Sequence, residues 1–98
     1  MTIRLKKWDS AEHLKTEEDI ACYWEACLEE SGDDPAFITS ALGIIARARG
    51  MSNLARETGL TREGLYKALS PEGNPEFSTV MKVIRALGLS LRGAPIHS

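Results

Sequence analysis

The chain has 98 residues, of which 43% are hydrophobic and 27% charged, and its formal net charge is −2. These values are ordinary for one small globular domain. The sequence also excludes a membrane-spanning helix. Its longest apolar stretch of note, residues 41–46, is far shorter than the roughly 20 residues that such a helix requires. The first residues are basic without a following apolar block, so we expect no signal peptide and a cytoplasmic location.

The charge is unevenly distributed along the chain. Residues 1–40 carry four basic and ten acidic residues, a net charge of −6, whereas residues 41–98 carry eight basic and four acidic residues, a net charge of +4. We divide the single domain, residues 1–98, into an acidic extension with the first helix (1–40), a helical core (41–91) and a flexible tail (92–98). The asymmetry indicates two partners of opposite charge; an acidic, solvated helix face is the alternative.

The first predicted elements are a short helix at residues 11–14 and a long helix after Thr16. The Thr16 hydroxyl can cap the long helix, whose first turn carries three acids. Gly32 ends it. Its apolar residues recur at the spacing of one buried stripe and are Ile20, Tyr23, Trp24, Cys27 and Leu28.

A second long helix is predicted between Asp34 and Gly50. Asp34 is a capping acid before a proline at the first helical position. The inward side chains of this helix are Ile38, Ala41, Leu42 and Ile45. Two short helices follow, one capped by Ser52 and ending near residue 57, the other capped by Thr61 and ending near residue 69. Residues 70–75 form a loop.

The last helix is predicted from about residue 76 to residue 87, and Gly88 ends it. Its inward side chains are Phe77, Val80, Met81, Ile84 and Leu87. Leu89 and Leu91 then alternate with polar residues, a pattern compatible with a short strand, which would need a partner. The predicted fold class is therefore all-α, with about five helices and a possible short C-terminal strand.

The two short helices meet across residues 58–60 as a helix-turn-helix requires. The steep crossing of the helices needs a small side chain at their contact, and Ala55 supplies it. The turn needs a left-handed backbone residue, a conformation that Gly59 adopts without a steric cost. Apolar side chains then fix the second helix, and they are Leu54, Leu60, Leu65, Ala68 and Leu69.

The second short helix is predicted to lie in the major groove of duplex DNA, with its N-terminal part facing base edges. Arg62 is the candidate for a guanine edge, which arginine grips with two hydrogen bonds. Lys67 suits a base or a phosphate, and Glu63 accepts from cytosine or penalises wrong sites. Tyr66 suits a thymine methyl or a phosphate. The alternative is that these are ordinary solvent-facing residues. The candidate phosphate contacts are Arg47, Ser52, Asn53, Arg56 and Thr61.

No catalytic or metal site is predicted. Cys22 and Cys27 are five residues apart on a helix and cannot form an unstrained disulfide, so we interpret them as small buried or half-buried apolar groups. His13 is the one histidine near them in sequence, which is too little for zinc. His13 and His97 are far apart, and no phosphate loop or nucleophile elbow occurs. We therefore expect neither an enzyme nor a cofactor.

The chain resembles the probable addiction-module antidote proteins in several segments. They are residues 44–52, 54–60 and 62–70, and Gly73-Asn74-Pro75 followed by residues 86–89. These antidote proteins are HigA-like antitoxins of the lambda-repressor-like, Xre-type class. The resemblance extends from about residue 8 to residue 91 and is densest from 41 to 89. It implies a lambda-repressor-like helix-turn-helix domain from a bacterial type II toxin–antitoxin system. Such an antitoxin neutralises a small RelE/ParE-like toxin and represses its own operon.

The acidic half of the chain suits a basic toxin. A toxin that cleaves RNA binds a polyanion, so its active face is expected to be basic and to attract acids. The exposed candidates are Glu25, Glu29 and Glu30. We also expect a homodimer, with the last helix and residues 89–91 at its interface, because one short recognition helix reads few base pairs. The alternatives are a prophage or plasmid repressor without a toxin, and an interaction module that binds no DNA.

Overall fold

The computed structural model describes residues 14–93 and Pro95, and these residues form five α-helices without a strand. The all-α fold predicted from the sequence is thereby confirmed. The predicted helix at residues 11–14 falls largely outside the described residues, and Leu14 itself is not helical. The helices are α1 (Glu17–Ser31), α2 (Pro35–Arg49), α3 (Met51–Thr58), α4 (Arg62–Ala68) and α5 (Phe77–Ala86).

The two long helices begin where their capping residues predict. Thr16 and Asp19 form a capping box at α1: the Thr16 hydroxyl accepts from the Asp19 N–H at 3.0 Å, and the Asp19 carboxylate accepts from the Thr16 N–H at 3.2 Å. The Asp34 carboxylate accepts from the Ala36 N–H at 3.0 Å and starts α2 at Pro35. Both starts are local, since each joins residues at most three apart.

The start of α3 differs from the prediction, because Ser52 does not cap it. Gly50 alone separates α2 from α3, and its N–H bonds to the Ala46 carbonyl at 2.9 Å. α3 therefore begins at Met51 with no side-chain cap, and Ser52 lies inside its first turn. The φ angle of Gly50 is 107°, a value that residues with a side chain rarely adopt. One glycine thus serves as both the end of α2 and the start of α3.

The core lies between α1, α2 and the three shorter helices. The apolar stripe of α1 faces it as predicted, with Ile20, Trp24 and Cys27 buried and Tyr23 and Leu28 half-buried. The largest fully buried side chains come from α2, α4 and α5 as well as from α1, so one continuous core joins the helices. They are Leu42, Ile45, Leu65, Ile84, Val83 and Cys27.

Phe77 was predicted to point inward, and that prediction is wrong. Its side chain is 71% exposed, whereas Val83, Ile84 and Leu87 are buried and Val80 is half-buried. Phe77 is the first residue of α5, and Ile84 lies seven residues further along, or about 10 Å along the helix axis. The periodicity identifies the correct face of the helix, but the core reaches only as far as Val80 and leaves Phe77 in solvent.

The segment after α5 packs against α1 and is not a strand. Gly88, at φ 75°, donates to the Arg85 carbonyl and Leu89 donates to the Ile84 carbonyl, both at 3.0 Å, which is a Schellman ending. The chain then turns back, and the Ser90 carbonyl accepts from the Trp24 indole N–H at 3.0 Å. The bond to the buried indole takes the place of the strand pairing that residues 89–91 were predicted to seek.

The backbone of α2 is in close contact with the C-terminal end of α4. Gly43 is buried in the interior of α2, and a Cβ atom built on it would lie 2.7 Å from the Leu69 carbonyl oxygen. That distance is well inside van der Waals contact. The absence of a side chain at Gly43 is therefore what allows α4 to pack at this depth.

We expect Gly43→Ala to destabilise the protein. Overpacking a core position typically costs about 1–3 kcal/mol, and the better helix propensity of alanine offsets roughly 1 kcal/mol. Because the obstructing atom is a backbone oxygen, the cost should lie near the upper end of that range, at roughly 2–3 kcal/mol, which leaves a net loss of about 1–2 kcal/mol in the free energy of unfolding, measured by urea unfolding followed by circular dichroism. The control is Gly93→Ala, because Gly93 is exposed and has no atom within 4 Å of an added Cβ. Equal stabilities of the two variants would contradict the proposed close contact.

Candidate nucleic-acid interface

The turn between α3 and α4 has the geometry that its sequence predicts. Gly59 is left-handed at φ 77° and ψ 11°, and its N–H bonds to the Ala55 carbonyl at 2.9 Å. The Thr58 hydroxyl donates to the Leu54 carbonyl at 2.8 Å and accepts from the Leu60 N–H at 3.3 Å. The last turn of α3 and the first residues of the turn are therefore held by local hydrogen bonds.

The apolar residues of this corner hold α4 on the domain as predicted. Leu54, Leu65 and Leu69 are buried, and Ala55 and Leu60 are half-buried and pack against the core. Because Leu65 and Leu69 are four residues apart, they anchor one side of the helix and leave the opposite side in solvent. α4 is seven residues long, so these two anchors decide which side chains it presents.

Thr61 caps α4, as predicted. Its hydroxyl oxygen accepts from the Gly64 N–H at 2.9 Å, and the hydroxyl hydrogen remains available for an acceptor such as a phosphate oxygen. Gly64 is exposed, and a Cβ built on it would lie 2.9 Å from the same hydroxyl oxygen. Glycine at this position therefore allows the short hydrogen bond to the Thr61 hydroxyl, and it adds no side chain to the outer surface of α4.

The four outward residues predicted for α4 are all exposed and share one helix. They are Arg62, Glu63, Tyr66 and Lys67. The Cζ atom of Arg62 lies 5.9 Å from the centroid of the Tyr66 ring. This surface combines two cations, one carboxylate and one aromatic ring, which together are able to donate, accept and make apolar contacts at base edges.

The candidate phosphate contacts lie on α3 and at the end of α2. Ser52, Asn53 and Arg56 are exposed on α3, and the Arg56 guanidinium donates to the side-chain oxygen of Asn53. Arg47 is also exposed, but a guanidinium nitrogen of Arg47 and the Leu69 carbonyl both lie within 4 Å of the point where a Gly43 Cβ would stand. The structure thus places Arg47 beside the C-terminal end of α4, away from Arg62.

The loop after α4 contributes to the same surface, which the sequence analysis missed. A Cβ on Gly73 would collide with the carbonyl oxygens of Ala68 and Lys67, so the loop packs tightly against the end of α4. A surface depression lies between the loop and the helix, lined by Gly64, Lys67, Ala68, Ser70, Glu72, Gly73, Asn74 and Pro75. The signal in the sequence that could have predicted this close packing is Gly73, within the loop of residues 70–75.

The acids proposed for the toxin are exposed on α1. Glu25 and Glu29 lie on the side opposite the buried stripe, and Glu30 lies beside it. The charge of Glu30 also affects the buried thiol of Cys27. Burial raises the pKa of Cys27, a hydrogen bond with Tyr23 lowers it, and the negative charge of Glu30 raises it further. Glu17, at the start of the same helix, lies 4.0 Å from Arg49 of α2 in an exposed ion pair.

The two cysteines are free, and they differ in exposure. Cys27 is buried as predicted, but Cys22 is exposed, so the prediction that both are at least half-buried is wrong. Cys22 follows Ile20 by two residues, about 200° around the helix, and therefore faces solvent. Among the described residues, which do not include His13 and His97, no three potential metal ligands cluster. No helix in the described part of the chain is long and apolar enough to cross a membrane.

Comparison with known proteins identifies the family. A model of the family described as probable addiction module antidote protein matches residues 4–95, and the chain belongs to that family. An antidote acts on a toxin, so the family implies a toxin partner and a regulatory role rather than a catalytic one. An uncharacterized protein of Haemophilus influenzae is 56% identical over 92 residues, which are 94% of this chain and 93% of that protein. No solved structure gives a significant match.

Proposed function

We propose that this antidote protein is the DNA-binding antitoxin of a type II toxin–antitoxin module. It binds operator DNA through a helix-turn-helix formed by α3 and α4, represses its own operon and neutralises a RelE/ParE-like toxin. It acts in the cytoplasm without catalytic activity. The observation that carries the DNA-binding part is the exposed face of α4, where Arg62, Tyr66 and Lys67 stand across a left-handed glycine turn from α3.

The two short helices make different contacts with DNA: α4 contacts the bases and α3 contacts the phosphates. α4 enters the major groove, where Arg62 donates to a guanine edge and Lys67 reaches a base or a phosphate. Glu63 accepts from cytosine or repels wrong sites. On α3, Arg56 is held by Asn53 and contacts the phosphate backbone. Thr61, Ser52 and Arg47 add polar contacts to the phosphate backbone.

Arg62→Ala and Arg56→Ala should weaken DNA binding in different ways. Arg62→Ala should cost about 1–3 kcal/mol on the operator and relax its sequence preference. Arg56→Ala should weaken all duplexes similarly and reduce the dependence of affinity on salt, because a phosphate contact carries no sequence information. Fluorescence anisotropy against the operator and a scrambled duplex, at several salt concentrations, measures both effects.

Lys15→Ala is the matched control for these two variants. Lys15 is exposed and precedes α1, so the variant loses one positive charge away from α3 and α4. It should bind the operator as the parent does. If Arg62→Ala and Arg56→Ala both retain the affinity, preference and salt dependence of the parent, the assignment of α4 as the recognition helix is wrong.

We also propose a homodimer through α5 and residues 89–91, which would set two recognition helices about 34 Å apart on successive turns of DNA. Phe77 and Leu91 support this, because they are 71% and 45% exposed apolar side chains at α5 and just after it.

Phe77→Glu should shift a dimer to a monomer in sedimentation equilibrium, whereas Glu29→Lys on α1 should not. A parent that is monomeric both free and on DNA contradicts the dimer.

The acidic face of α1 is proposed as part of the toxin-binding surface. Glu25, Glu29 and Glu30 are exposed, while the buried stripe of the same helix holds it on the domain. Charge complementarity with a basic toxin steers association more than it adds affinity. Each exposed ion pair is worth roughly 0–1 kcal/mol, so the three acids should act together.

Reversal of Glu25, Glu29 and Glu30 to lysine should slow toxin association at low salt and reduce its salt dependence. Stopped-flow binding to the purified toxin measures the rate, after operator binding and folding have been verified. The control reverses three exposed acids outside α1, Glu57, Glu72 and Glu76, which changes the net charge equally. If the two triple variants associate at the same rate, the toxin-binding surface lies elsewhere than on α1.

A further inference from the structure

Arg62 and Tyr66 form a cation–π contact on the exposed side of α4. Arg62 is the first residue of α4, and Tyr66 follows four residues later, on the neighbouring turn. The guanidinium carbon lies over the ring at 5.9 Å from its centroid, within the range in which an aromatic face attracts a cation. Both side chains are exposed, so the pair stands on the surface that α4 presents.

The position of Arg62 is unfavourable for a cation in a helix. The N-terminal end of a helix carries partial positive charge, which favours acids there and disfavours arginine. No carboxylate among the described residues lies within 4.0 Å of Arg62, whereas Arg49 does have such a partner in Glu17. The contact that the Arg62 guanidinium does make is with the ring of Tyr66.

A ring holds an arginine in a way that a carboxylate does not. A carboxylate accepts hydrogen bonds from the guanidinium edge and so occupies the donors that would grip a guanine. An aromatic face attracts the cation through its quadrupole and offers no lone pair. The N–H donors of Arg62 thus stay available while its flexible chain is partly ordered before binding, which lowers the entropic cost of binding.

We propose that Tyr66 is a positioning residue for Arg62 and sets how stringently the protein selects guanine at the position that Arg62 reads. The ring, rather than the phenolic hydroxyl, carries this role. The inference rests on the proposed function, because it assumes that Arg62 faces a base edge. It assigns to Tyr66 an action through its neighbour, distinct from the direct thymine or phosphate contact that its exposure alone suggests.

The test uses a double-mutant cycle on the full-length chain. The parent selects its operator from a randomised duplex pool, and the base pair whose preference is lost in Arg62→Ala defines the Arg62 position. Discrimination at that position is then measured for the parent, Tyr66→Phe, Tyr66→Leu, Arg62→Ala and the Arg62→Ala/Tyr66→Leu double variant. Thermal unfolding verifies that each variant is folded.

Tyr66→Leu should lower discrimination roughly two- to five-fold, the factor that corresponds to an exposed cation–π contact. Tyr66→Phe should retain it, since the ring is kept. In the Arg62→Ala background Tyr66→Leu should change nothing, and the salt dependence of Tyr66→Leu should equal that of the parent. Without DNA, the ring-current shift of the Arg62 side-chain protons should disappear in Tyr66→Leu and persist in Tyr66→Phe.

Three results of the discrimination measurements would overturn the positioning role alone. They are unchanged discrimination in Tyr66→Leu, equal losses in Tyr66→Phe and Tyr66→Leu, and an undiminished effect of Tyr66→Leu without Arg62. Absence of the ring-current shift in the parent would also overturn it. A parent that prefers no duplex, or whose preferences survive Arg62→Ala, contradicts the proposed function, and the inference falls with it.

Discussion

The position of α4 depends on the close contact between Gly43 of α2 and the carbonyl oxygen of Leu69 at the end of α4. At the other end of the helix, the left-handed turn at Gly59 sets the direction in which the chain enters. Between these two points Leu65 is fully buried. A seven-residue helix has little stability of its own, so its orientation comes from these tertiary contacts. The set of side chains that α4 presents follows from them.

The same packing separates the charges of the molecule. The buried stripe of α1 directs its acids outward, and the hydrogen bond from Trp24 to Ser90 ties that helix to the segment after α5. The exposed cations of α3 and α4 lie on a different part of the domain. The acids proposed for the toxin and the cations proposed for DNA therefore belong to different helices, α1 on the one hand and α3 and α4 on the other. Its membership of the antidote family favours this reading over a repressor that lacks a toxin.

Several features of the site were predictable because they depend on neighbours in sequence. The caps at Thr16, Asp34 and Thr61 each join residues two or three apart. The turn at Gly59 and the inward positions of Leu65 and Leu69 follow from local conformation and helical periodicity. The exposure of Arg62, Glu63, Tyr66 and Lys67 follows from the same periodicity. Their roles toward DNA, the toxin-binding acids and the division of the domain at residues 40 and 91 stay predictions.

The sequence by itself determined the all-α class, the helix ends marked by caps and glycines, and the buried stripe of each helix, because each arises from interactions within one or two turns. The start of α3 at Gly50 is also local, although the sequence analysis assigned the cap to Ser52. Only the tertiary structure decided that Phe77 lies outside the core. It also decided that residues 89–91 bond to an indole instead of forming a strand. Trp24 and Ser90 are 66 residues apart, and Gly43 and Leu69 belong to different helices. No local pattern encodes such pairs, since they depend on how whole helices stack.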